Sequence, residues 1–222
     1  MTGAGAPGAA GILRCLSAEP LLSIRVADAN KDSHGRYWGY PFHQLPAGDD
    51  PGFEAAVLEI CRKENIRLIM PLVTRELLPL ARMRNQLAAI GTQVMVADEA
   101  AIEIANDKGK LYQFLEWRSI PVPAFRIIDS AEQFSSAITE LGYPARPVCF
   151  KPCLANGSRG FRILDAAFDA AKALWQEKPG HPYLQPEAVL QLLQAGSFPE
   201  LLIAEYLPGD EYSVDCIAAR GE

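Results

Sequence analysis

Along the first hundred residues, short apolar runs alternate with stripes of helical period, the pattern of a parallel α/β layer. The glycine-rich start, Gly3 to Gly11, opens onto Ile12, Leu13 and Leu16, which share one face of a helix. Residues 21–28 (LLSIRVAD) read as a strand ending at Asp28, and Phe53, Val57, Ile60 and Cys61 recur at helical spacing. RLIMPLV (67–73) reads as a buried strand, residues 75–91 as a helix closed by Gly91, and TQVMVAD (92–98) as the next strand. Only Met1 and Thr2 precede the glycine loop. The first strand of such a layer is therefore expected to be almost missing.

From Asp129 to Glu205 the rhythm changes. AFRIID (124–129) is a strand. Ser130 with Gln133 reads as a capping box, Phe134, Ile138 and Leu141 as the apolar face of the helix that follows, and Gly142 as its stop. PVCFKP and FRILD are two strands joined by the loop Ala155–Gly160. DAAFDAAKALWQ reads as a helix capped by Asp165. A loop-and-helix insertion then leads into a last strand, LLIAEYL.

Composition narrows the class. The 222 residues are 49% apolar and 22% charged, enough for a sizeable core in more than one domain. The net charge of −6, with no basic run longer than two, argues against nucleic acid as a partner. No apolar run approaches the ~20 residues of a membrane span. No secretory leader pattern opens the chain. Five scattered cysteines without a C-x-x-C and three histidines without ligand spacing point to a reduced, cytoplasmic protein with no metal site of its own.

The chemistry gathers in the second half. Lys151 ends an apolar strand, and Asn156, Gly157, Ser158 and Gly160 lie in a small, flexible loop whose backbone N–H groups can fold over a phosphate chain. Arg159 is either a further phosphate contact or solvated. Lys108 opens an amphipathic helix, and the acidic segment Glu205-Tyr206-Leu207 through Glu211 follows the last strand. Two cations, a flexible cover and distal polar groups are what a nucleoside triphosphate requires.

Taken in order, TGAGAPGAAG, IMPLVTRELLPLA, NDKGKLYQFLEWRSIPVP, FKPCLANGSRGF and EYLPGDEYSVD resemble the ATP-grasp superfamily, most closely the branch of the carbamoyl phosphate synthetase large subunit. The resemblance implies a Rossmann-like pre-ATP-grasp domain over residues 1–100. An ATP-grasp domain is implied from 101 to 222, with a small α+β lid lobe at about 124–205 and a hinge at 205–211. The C-terminal ATP-grasp lobe is expected to be nearly absent. Lys108 and Lys151 are implied to hold ATP phosphates; Lys108 fits the family spacing to Tyr112-Gln113-Phe114-Leu115 better than Lys110 does. The loop of Asn156, Gly157, Ser158 and Gly160 is implied to cover the phosphates as a moving lid. The backbone of Glu205, Tyr206 and Leu207 would meet adenine, and Glu211, ahead of Asp210, would take the ribose hydroxyls. Asp215 reads as structural.

The implied activity is an ATP- and Mg²⁺-dependent ligase that activates a carboxylate as an acyl phosphate for attack by an amine or similar nucleophile. No catalytic residue and no metal ligand is expected within this chain, because the family's Mg²⁺ ligands lie in the C-terminal lobe. The chain is expected to be inactive alone, either as a fragment or as a protein completed by another subunit, and to associate through apolar surface. Two rivals stand beside this reading. Gly3, Gly5 and Gly8 satisfy G-x-G-x-x-G, with Asp28 about twenty residues on, so a NAD(P)- or nucleotide-sugar-binding Rossmann enzyme is open. A non-catalytic module that keeps the ATP-grasp fold is the other.

Overall fold

The computed structural model describes residues 1–176, 180–212, 214 and 216. The chain divides into two compact units between Asn106 and Asp107.

The first unit is a parallel layer. Its elements are α1 (Ala9–Leu16), β1 (Val26–Asp28), a 3₁₀ turn (His34–Tyr37), β2 (Phe42–Gln44), α2 (Phe53–Glu64), β3 (Leu68–Ile69), α3 (Thr74–Arg82), α4 (Arg84–Ala89), β4 (Gln93–Val94) and α5 (Glu99–Asn106). β1 pairs with β2 and β3 with β4, both in parallel. The segment Met1–Ala4 joins these two pairs. The Thr2 N–H donates to the Met70 carbonyl at 3.1 Å, Ala27 N–H to Met1 O at 2.9 Å, and Ala4 N–H to Ala27 O at 3.0 Å. The first strand is reduced to a bridge at Thr2, as the few residues before the glycine loop lead one to expect, yet it holds the central place in the layer. Counting it, the spatial order is third, second, first, fourth, fifth, the order of the first five strands of a doubly wound dinucleotide-binding sheet.

Side-chain alternation along β1 covers both faces of the layer. Val26 packs with Ala4 and with Leu13 of α1. Ala27 turns to the other core, with Phe53, Val57 and Cys61 of α2, Leu80 of α3, Met83 and Leu87 of α4.

Two local expectations change here, and one strand, β2, is unforeseen. The strand ending at Asp28 starts only at Val26, because residues 18–22 form turns and Leu21 is 94% exposed. The long helix of 75–91 is two helices. Pro79 offers no N–H to the middle of this stretch, Met83 leaves helical angles at φ −88° and ψ 7°, and the break lets Leu80, Met83 and Leu87 all bury fully. β2 lies in a stretch too short and too polar to register as a strand by period.

The second unit contains α6 (Lys108–Trp117), β5 (Phe125–Ile128), α7 (Ala131–Glu140), β6 (Val148–Pro152), β7 (Arg162–Leu164), α8 (Ala170–Gln176), α9 (Pro186–Ala195) and β8 (Leu201–Glu205). Its antiparallel sheet has the order β5-β8-β6-β7, so the last strand in sequence lies between the first two. On one face Val148, Phe150, Leu201 and Ile203 pack with Phe134, Ile138 and Leu141, the predicted stripe of α7, and with Val189 of α9. Cys149 and Lys151 alternate to the opposite face, the side of Tyr112 in α6.

Two capping expectations are corrected. Ser130 makes no side-chain cap; Gln133 Oε1 accepts from the Asp129 N–H instead, at 3.0 Å. Asp165 receives the Ala167 N–H in a turn, and the acid that caps α8 is Asp169, which accepts from Lys172 N–H at 2.9 Å. The helix starts later than its composition suggests because Asp165 and Asp169 each end a local turn of their own. Asp215 lies outside the described residues. Among the described residues, no helix is long and apolar enough to cross a membrane.

Candidate functional site

α6 starts where it does because Asp107, buried and extended, caps it: Oδ1 accepts from Gly109 N–H at 2.9 Å and Lys110 N–H at 3.1 Å. Between them the Lys108 N–H donates to the Cys153 carbonyl at 2.9 Å, which ties the helix start to the end of β6. The Lys108 side chain is half-buried and its ammonium donates to the Ala155 carbonyl at the entrance of the glycine loop. Lys110, by contrast, is exposed.

Lys151 reaches the same region from β6. Its ammonium lies 5.5 Å from the centroid of the Tyr112 ring, inside the range of a cation–π contact. Burial first, then the Lys151 charge, holds the Lys108 ammonium below the ordinary lysine range, which marks the two cations as neighbours. Among the described residues neither lysine is in an ion pair with a carboxylate. Both are held by neutral groups, one by a carbonyl and one by a ring.

The loop from Ala155 to Gly160 leaves the sheet at Pro152 and returns at β7. Gly157 and Ser158 are both left-handed, at φ 62° and 58°. Its only internal ties are turns: Arg159 N–H to Asn156 O at 3.4 Å, Phe161 N–H to Ser158 O at 3.2 Å, and the Arg159 guanidinium to Asn156 O at 3.2 Å. No hydrogen bond among the described residues takes the N–H of Gly157, Ser158 or Gly160. Asn156 to Arg159 are exposed. Gly160 is required where it stands: at φ 76° a Cβ would lie 2.6 Å from Pro152 Cδ.

At the end of β8 the backbone is partly committed to the sheet. Glu205 N–H donates to Ala124 O at 3.0 Å, and Tyr206 N–H to Pro147 O at 3.2 Å. The Cys149 thiol approaches the Glu205 carbonyl at 3.9 Å, and burial pushes that thiol above its usual range. Among the described residues nothing takes the Leu207 N–H, and the Leu207 side chain is 62% exposed. Glu211 is exposed and makes no ion pair among the described residues. Lys108, Lys151 and the loop entrance are thus brought together, and the backbone of Glu205 and Tyr206 runs beside the start of β6. Sequence reading passed over Asp107 and Tyr112. The aspartate directly before a helical stripe was the available signal for the first; no local pattern announces the second.

The first unit's glycine loop is arranged differently. Asp28 Oδ2 accepts from Gly5 N–H at 2.6 Å and Oδ1 from Asn30 N–H at 2.8 Å. Residues 29–35 fold against the loop so closely that a Cβ on Gly35 would overlap Ala4. Asp28 thus takes the Gly5 N–H, one of the donors such a loop would offer a pyrophosphate, which weighs against the dinucleotide reading. Nearby Glu76 is buried and accepts from the Thr2 hydroxyl. Burial, opposed by that bond and assisted by Asp28, pushes its carboxyl above the usual range. Among the described residues no cluster of three or more His, Cys, Asp or Glu could hold a metal ion.

Comparison with known proteins shows what the chain is similar to. The family described as PylC-like, N-terminal domain, matches residues 15–95. The formate-dependent phosphoribosylglycinamide formyltransferase of Edwardsiella ictaluri (strain 93-146) is 35% identical over 92 residues, 41% of this chain and 22% of that protein. The N5-carboxyaminoimidazole synthetase of Staphylococcus aureus complexed with ADP superposes with a TM-score of 0.56 at 17% identity, over 89% of this chain and 44% of that one. The biotin carboxylase of Campylobacter jejuni, in a complex with βγ-ATP, gives 0.55 at 17% identity, over 88% and 43%. The chain spans less than half the length of these proteins. With its parallel layer followed by a four-stranded antiparallel lid sheet, the chain carries the fold of the N-terminal part of the ATP-grasp superfamily.

Proposed function

We propose that this chain is the nucleotide-holding part of an ATP-dependent ligase that activates a carboxylate as an acyl phosphate for a nitrogen nucleophile, as carbamoyl phosphate synthetases do. The observation that carries the reading is the pair of ammoniums, Lys108 and Lys151, held on one face of the lid sheet by neutral partners alone. Two neighbouring like charges repel, and a polyphosphate relieves that repulsion while gaining charge-assisted hydrogen bonds.

The surrounding groups fit a nucleoside triphosphate. Gly157, Ser158 and Gly160 offer N–H groups to phosphate oxygens, the Glu205–Leu207 backbone offers a carbonyl and an N–H to adenine, and Glu211 lies downstream as an acceptor for ribose hydroxyls. Mg²⁺, which such ligases use to neutralise the phosphate chain, would in this reading be held by carboxylates of the family's C-terminal lobe. In the reaction, a carboxylate oxygen bonds to the γ-phosphorus, the bond to the β-phosphate oxygen breaks and ADP leaves; the nucleophile then displaces phosphate from the acyl carbon. Lys108 and Lys151 serve the first step by holding the phosphates where negative charge accumulates. The names of the relatives share a one-carbon acid, formate or a carboxy group, so a small carboxylate is the proposed acid substrate.

Titration calorimetry of the 222-residue chain with ATP tests the reading. Each of Lys151→Ala and Lys108→Ala should weaken binding about 10- to 100-fold, the worth of one hydrogen bond to a charged group. Undiminished affinity in Lys151→Ala would sink the assignment. Stabilisation of the chain by NAD(P) with indifference to ATP would favour the dinucleotide rival.

A further inference from the structure

The proposed phosphate site contains a group that the lysines and the glycine loop do not account for. Tyr112 lies on α6, one turn beyond Lys108, and its ring meets the edge of Phe125 in a T-shaped contact with centroids 5.3 Å apart and planes at 81°. That contact fixes the ring's tilt. The face left open carries the Lys151 ammonium at 5.5 Å. The sheet also fixes where Lys151 starts: its register partner is Leu202 in β8, with Cys149 two residues back on the same face. A lysine side chain otherwise has four rotatable bonds and about 2 kcal/mol of rotamer entropy.

We infer that Tyr112 is a positioning residue for the phosphate site: its ring holds Lys151 over the lid sheet and directs the ammonium to an incoming polyphosphate. The ring satisfies one side of the ammonium and accepts no proton, so the other N–H donors stay available to phosphate oxygens. A carboxylate in its place would pair with Lys151 and compete with the ligand; an aliphatic side chain would leave the ammonium free to swing into solvent. The ring also presents its face to one cation while Lys108 is held at the Ala155 carbonyl. The pair therefore stays apart at fixed points instead of drifting outward under mutual repulsion. The hydroxyl is not needed for this, and no side-chain hydrogen bond of Tyr112 is formed among the described residues.

This inference rests on the reading of Lys151 as a phosphate ligand, and a double-mutant cycle on the 222-residue chain separates the two. Affinity for ATP and for inorganic tripolyphosphate is measured by calorimetry in the wild-type chain, Tyr112→Leu, Tyr112→Phe, Lys151→Ala and Lys151→Ala with Tyr112→Leu. Thermal unfolding of each checks that it folds. A cation–π contact of 0.5–2 kcal/mol corresponds to about a 2- to 30-fold loss in Tyr112→Leu for both ligands. Tyr112→Phe should restore wild-type affinity, and Tyr112→Leu should add nothing once Lys151 is Ala. NMR supplies a readout that ligand binding does not enter: the Lys151 ε-methylene protons should be shifted upfield by the ring in the free wild-type and Phe chains, and not in Leu. If Lys151→Ala leaves affinity unchanged, the parent reading fails. If Lys151→Ala weakens binding while Tyr112→Leu does not, or the two losses simply add, Tyr112 does not position Lys151.

Discussion

The molecule contains two glycine loops that each follow a strand, and they are in opposite electrostatic condition. The loop at Gly3–Gly8 is closed by its own chain: a carboxylate, Asp28, accepts from the Gly5 N–H, and Glu76 is buried against Thr2. The loop at Ala155–Gly160 leaves the N–H groups of Gly157, Ser158 and Gly160 untaken among the described residues, and receives the Lys108 ammonium with that of Lys151 as its neighbour. Glycine spacing alone does not separate these cases. What distinguishes an anion cradle from a packed turn is the sign of the charge brought to it, and that charge comes from residues distant in sequence.

The sharpest way to break the contrast is to add a Cβ to the open loop. Gly160→Val must clear Pro152 Cδ at 2.6 Å and adopt a φ of 76°. It should weaken ATP binding tenfold or more while lowering the melting temperature by only a few degrees, since the loop is exposed. Equal affinity with a large loss of stability would make the loop a packing element. Next in size, Asp28→Ala should destabilise the first unit by about 1–3 kcal/mol, because the Gly5 N–H loses its acceptor, and should leave ATP affinity unchanged. A fall in ATP affinity in that variant would overturn the separation of roles.

A smaller effect lies in the pH dependence of binding. Lys108 is held below the ordinary lysine range, and phosphate binds its protonated form. Affinity for ATP should therefore fall as pH rises, starting below the pH at which an exposed lysine titrates, and Lys108→Arg should move that fall upward. An affinity constant up to the ordinary lysine range would contradict it. The smallest effect concerns Glu76, whose folded pKa is raised above its unfolded value. In that window the folded state binds the extra proton, so stability declines as pH rises through it. Glu76→Gln should flatten the slope, read from denaturant melts across the acidic range. An unchanged slope would show that Glu76 titrates as it does when unfolded.

Much of this was written locally. The stripe of Phe134, Ile138 and Leu141, the strands on either side of the lid loop and the left-handed stop at Gly142 follow from period and glycine chemistry. The nearness of Lys108 to the loop was legible only through a family likeness, because nothing local in NDKGK points across the sheet to Ala155. The misses share a cause. The central place of Met1–Ala4 comes from hydrogen bonds to Ala27 and Met70, partners far along the chain. The cap moved from Asp165 to Asp169 because two acids competed for adjacent turns, and composition does not rank them. Tyr112 enters the sequence reading only as part of the spacing that selects Lys108; the task proposed for it depends on a lysine that arrives from β6.

The lid sheet also sets a schedule. β8 is made last, yet it lies between β5 and β6, and its residues pair with both: Ala204 with Phe125 and with Cys149. Until Leu201–Glu205 has left the ribosome, β5 and the β6–β7 hairpin have no common neighbour, and each exposes an unpaired edge. The first unit is complete in sequence well before that point and can fold on its own timetable. The second waits on one five-residue strand. Closing these long-range pairings should be its slow step, and a ribosome paused before Leu201 should hold a protease-resistant first unit joined to a lid that is still open to cleavage.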